Sequence, residues 1–151
     1  MHSGTALLRN WVAALLIVAP LLAQRDIGGS HWIRWEPTRR LAYLSGFYAG
    51  LKADRAVFDQ AERGQARGQP GISDPLVSGL YKLERAEYYS REIRYDFKMM
   101  ARLIDVFYTD PDNMGIPVPD ALRIIMLRAD KSIQRAEYLL MMGRRKALEG
   151  R

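Results

Sequence analysis

An all-α domain, a compact bundle of four or five helices made behind an N-terminal signal peptide, is the fold this sequence predicts. Three observations predict it. Apolar residues recur at steps of three and four through most of the chain after residue 36. No segment sustains the period-two alternation of a half-buried strand. Prolines stand at Pro37, Pro75 and Pro119, ahead of those periodic runs, where a missing N–H costs a helix nothing.

The N-terminus comes first. Residues Met1 to Asn10 carry one positive charge, Arg9, and the apolar run Trp11 to Ala23 follows with Pro20 near its end. A charged lead, a short apolar region and a small-residue exit describe a secretory signal. The run has 13 residues, whereas a spanning helix needs about 20. Residues 1–23 are therefore expected to be removed between Ala23 and Gln24, placing residues 24–151 in the periplasm or outside the cell as a single helical domain with no stable membrane insertion. No cysteine follows the run, so no lipid anchor is expected.

That domain has no disulfide to support it, because the chain contains no cysteine. It must rely on its core, and a 48% hydrophobic composition makes one available. The formal charge is +6. An exported protein rarely meets nucleic acid, so none is expected as a partner. The basic excess reads either as a solvated surface or as a surface for an anionic envelope or an acidic protein.

Residues 24–31 read as a flexible lead. Pro37 then opens a helix in which Leu41, Leu44, Tyr48, Leu51 and Phe58 form an apolar stripe. Beside it runs a stripe of small residues: Ala42, Gly46, Ala49, Gly50 and Ala53. Small residues let a second backbone come close, so this face is expected to pack against another helix. Residues 64–72, rich in Gly and Gln, read as a loop. Asp74 and Pro75 start the next helix, with Gly79 as a possible division. From Ala86 the stripe Tyr89, Ile93, Phe97, Met100, Ile104 and Phe107 predicts one long helix, with Glu87 and Arg91 set for an i,i+4 pair. Pro119 opens a helix through Leu122, Ile125 and Ala129. Asp130 is expected to cap a last helix with Ile133, Ala136, Leu140 and Ala147 inward, frayed near Gly143 to Lys146. The methionines read as core filler.

Parts for catalysis are scarce. There is no cysteine nucleophile, and His31 is the one histidine after the signal. No GxSxG elbow, SxxK pair or phosphate-binding glycine loop occurs. A lone histidine makes a poor zinc site. An enzyme is not expected, although paired carboxylates can do acid–base chemistry without any motif. No cofactor is expected and no metal. Asp110-Pro111-Asp112-Asn113-Met114-Gly115 opens like a calcium loop, but Met114 and Ala121 stand where oxygen ligands belong. A turn suits the same residues.

Two groups are candidates for binding. Trp32 and Trp35 read either as core residues folding back from a helix start or as an exposed aromatic anchor. Tyr108, Asp110, Asp112 and Asn113 lie between two expected helices. They read either as a binding loop or as a turn held by its own hydrogen bonds.

Trp32-x-x-Trp35 followed by Tyr43-x-x-Gly46-x-x-x-Gly50, with Phe107 to Asn113 and Ile116 to Leu122 after it, resembles a group of small exported bacterial all-helical proteins. More distantly it resembles the Tai-like immunity family, which neutralises type VI secretion amidase effectors in the periplasm. The resemblance implies an exported helical fold and a non-enzymatic role. That family carries cysteines, one just before the proline segment, where Asn113 to Ile116 stand here. No family disulfide follows, and no inhibitory contact can be carried over. The expected function is a protein-binding module with a protein partner, immunity-like in the reading the resemblance implies. A structural or accessory envelope protein is the alternative.

Overall fold

The computed structural model describes residues 27–65 and 75–149. Among the described residues six helices follow one another: α1 (Gly29–Trp32), α2 (Pro37–Gln65), α3 (Pro75–Ala86), α4 (Phe97–Phe107), α5 (Val118–Ala129) and α6 (Ile133–Glu149), with a 3-10 turn at Pro111–Asn113. There is no strand among the described residues, and a single antiparallel bridge joins Gly28 to Pro117. The fold is all-α. The expected signal at 1–23 lies outside the described residues, as does most of the expected loop at 64–72. Gly64 and Gln65 belong to α2 instead.

The middle of the molecule is α5. Its Val118, Ala121, Leu122, Ile124, Ile125, Met126 and Leu127 are all buried, and each large side chain among them is worth about 1.5–3 kcal/mol of burial. It packs against α4 and α6, while α2 lies along α4. Each of these helices supplies one apolar stripe: Leu44, Tyr48, Leu51 and Phe58 from α2, Met100, Ile104 and Phe107 from α4, Ala136 and Leu140 from α6. Met100 and Met126 fill the core as expected, but Met99 and Met141 are exposed.

Several expectations are corrected. Residues 27–31 are not a loose lead: the Val118 N–H donates to the Ile27 carbonyl and the Gly29 N–H to the Met114 carbonyl. Gly29 also lies against the ring of Tyr108, where any Cβ would collide. The long helix expected from Ala86 is two helices separated by residues 87–96. Glu87 does not pair with Arg91. It is buried between Arg123 of α5 and Arg135 of α6. Asp130 accepts from the Ser90 hydroxyl at 2.8 Å and from the Arg91 N–H at 3.1 Å. Arg94 turns the chain with φ 53°, and the Asp96 carboxylate caps α4 by accepting from the Met99 N–H at 2.9 Å.

Asp130 is the C-terminal cap residue of α5, three positions ahead of the first residue of α6, and one oxygen of its carboxylate is spent on that turn. Ile133 faces solvent rather than the core. At the other end α6 does not fray at Gly143 but continues to Glu149. Gly143 packs tightly there: a Cβ would sit 3.2 Å from Ile116 Cδ1. Gly79 does not divide α3, which runs through it. The small stripe of α2 is likewise corrected. Ala42, Gly46, Ala49, Gly50 and Ala53 are all exposed, and a Cβ at Gly46 or Gly50 would meet nothing within 4 Å.

Candidate functional site

The segment after α4 is a folded joint. Tyr108 is buried, and its hydroxyl donates to the Ile116 carbonyl at 2.8 Å. Burial drives the Tyr108 phenol well above its ordinary range. Asn113 is also buried: its amide donates to the Phe107 carbonyl at 2.7 Å and its oxygen accepts from Arg144 Nε at 2.9 Å. One carboxylate oxygen of Asp110 accepts from the Asp112 N–H at 3.0 Å, and the other takes the Arg144 guanidinium. Of the side chains expected as a polar binding surface, Tyr108 and Asn113 are thus turned inward, Asp110 is half-buried on Arg144, and Asp112 is exposed.

The tryptophans divide. Trp32 has no exposed surface, and its indole N–H donates to Asp105 Oδ1 at 2.7 Å. The exposed-anchor reading is therefore corrected for Trp32. Trp35 is half-buried, 5.9 Å from the Trp32 ring and 5.4 Å from Tyr43, and Arg39 lies over its outer face at 4.7 Å. From there a chain of rings runs through Tyr43, Phe47 and Tyr48 to Tyr88, Tyr89, Tyr95 and Phe97. Desolvation, with the nearby Tyr88 oxygen second, pushes Tyr43 up to about 12. These rings unite α2 with the 87–96 turn and α4.

The surface that sequence reading missed is α3. This helix buries no residue. It meets α2 through its polar side: Tyr81 stacks on Phe58 at 3.9 Å and donates to Asp54 at 2.6 Å. Arg85 pairs with Asp54 at 2.7 Å and Lys82 with Glu62 at 2.9 Å, and Ser78 donates to Glu62. The hydrogen bonds from Ser78 and Lys82 hold Glu62 below the ordinary carboxylate range. With the polar side facing inward, the apolar side points out. Val77 is 51% exposed, Leu80 58% and Leu83 60%. An amphipathic helix in a globular domain normally does the reverse. The signal was available at the i, i+3, i+6 spacing of 77, 80 and 83, but spacing alone does not say which way a stripe faces.

Among the described residues no three His, Asp or Glu side chains lie close enough to hold a metal ion. His31 is exposed on α1. No described helix is long and apolar enough to cross a membrane. Set against known families, curated proteins and solved structures, the chain matches none.

Proposed function

We propose that this chain is an exported, non-enzymatic protein-binding module that makes its contact through α3. The observation that carries the reading is the reversed amphipathicity of that helix, with Val77, Leu80 and Leu83 outward and no residue buried. A helix of 12 residues is marginal in water by itself, and here more than half of each side chain on its apolar face stays outside the fold. Such a face fits a partner offering an apolar groove, with successive turns of the helix supplying the anchors. Export rests on the run from Trp11 to Ala23, and the resemblance to the Tai-like immunity family supports a partner that is a protein, a toxin in the immunity-like form of the reading. The folded joint at 108–117 then serves as scaffold rather than contact.

Photocrosslinking in producing cells tests this. A benzophenone side chain at Leu80 is expected to trap one discrete protein, while the same group at Gln60, exposed on α2, traps none. Equal labelling from both positions, or no product from Leu80, would contradict the reading.

A further inference from the structure

A second surface lies where α2 and α4 run side by side. Pro37, Arg40 and Leu41 of α2 and Lys98, Ala101, Arg102 and Asp105 of α4 line a groove of about 270 Å³. Its charge is one-sided. Asp105 is the one carboxylate in the lining, and it is paired: Arg40 Nη1 reaches its two oxygens at 2.8 and 2.9 Å, and the Trp32 indole donates to Oδ1 at 2.7 Å. Lys98 and Arg102 have no ion-pair partner among the described residues, and both are exposed. They stand four apart on α4, one helical turn, with side chains on the same face. Arg40 is spent on Asp105 and on the Ile33 carbonyl, so Lys98 and Arg102 are the two cations left for a ligand. The groove between α5 and α6 is larger, about 330 Å³, but mixes Asp120 and Glu149 with Arg123, Arg145 and Lys146. It favours neither sign.

From this geometry we infer that the α2–α4 groove is a docking site for an acidic peptide segment, taking a Glu or Asp carboxylate between Lys98 and Arg102 and a neighbouring apolar side chain against Pro37, Leu41 and Ala101. Two uncompensated cations call for an anion, and a guanidinium is well shaped for a carboxylate. The apolar floor calls for carbon beside that anion. At about 270 Å³ the groove has room for one or two side chains of a peptide lying across the two helices. These residues are distinct from the outward face of α3, so either surface can fail in experiment without the other.

The test is amide chemical-shift mapping of the full chain with acetyl-Ala-Leu-Glu-Leu-Ala-amide, the matching Gln peptide, and hexanoate. The Glu peptide is expected to shift amides of residues 38–41 and 98–105 saturably, and more weakly as salt rises. Lys98→Glu/Arg102→Glu, or the milder Lys98→Gln/Arg102→Gln, is expected to lower its affinity at least about tenfold while circular dichroism and melting stay parental. Equal response to the Gln peptide, shifts confined to other basic surfaces, or unchanged affinity in the folded variants overturns the inference. Hexanoate matching the Glu peptide at the same amides also overturns it, because the ligand is then a free carboxylate amphiphile and not a peptide.

Discussion

The amide of Asn113 accepts from Arg144 of α6 while donating to the last carbonyl of α4. Removing it leaves a buried carbonyl and a guanidinium N–H without partners. Asn113→Ala is therefore expected to cost about 1–3 kcal/mol in thermal or denaturant unfolding. Asp112→Ala, in the same turn but exposed, should stay within about 0.5 kcal/mol. Equal effects would mean the joint is not held by Asn113. The buried phenols give a second prediction at this scale. Tyr43 is raised to about 12 and Tyr48 further still, in both cases chiefly by desolvation. An unfolded tyrosine ionises near pH ~10. Between that value and the folded one, the native state holds protons that the unfolded state has lost. Stability is then complete below pH ~10 and falls as pH rises. Alkaline unfolding followed by circular dichroism should set in above that point. Tyr43→Phe should weaken the alkaline loss without lowering neutral stability, because the Tyr43 hydroxyl makes no hydrogen bond within the described structure.

At the scale of elements, two glycines of similar appearance in sequence have opposite surroundings. Gly46 faces open space, and Gly143 lies against Ile116. Gly46→Ala is expected to raise stability by roughly 0.5–1 kcal/mol, since alanine loses less backbone freedom in a helix. Gly143→Leu should lower it by about 1–3 kcal/mol through overpacking. A destabilised Gly46→Ala would restore the close helix contact that the exposed α2 stripe rules out. The contrast also marks what sequence could supply. Helix starts at Pro37 and Pro75, and the buried stripes of α2, α4 and α5, were legible because proline placement and apolar period are local properties. The turn at 87–96 was not. Tyr89, Ile93 and Phe97 keep a helical spacing straight through it. What breaks the helix is distant in sequence: Asp130 on Ser90 and Arg91, and Arg123 with Arg135 on Glu87. Likewise Trp32 could be core or anchor until Asp105, 73 residues on, was seen to take its indole N–H.

Across the whole molecule, apolar burial is concentrated around α5, and the ends of the helices are tied by charged or polar bonds: Arg40 to Asp105, Arg123 and Arg135 to Glu87, Arg144 to Asp110. The α3 helix sits outside this arrangement. It touches α5 only by the 3.5 Å pair of Glu84 with Arg123 among the ion pairs of the described residues, and it otherwise leans on the C-terminal half of α2. A face that contributes to binding and not to folding can take charge without harm to the fold. The melting temperature of Leu80→Glu/Leu83→Glu measures that most directly. With both side chains more than half exposed, the change should stay within about 0.5 kcal/mol, a shift of roughly 1–3 °C for a domain of this size. A fall of about 8 °C or more would show that the apolar side of α3 is buried in the free protein, and would contradict its assignment as the contact surface.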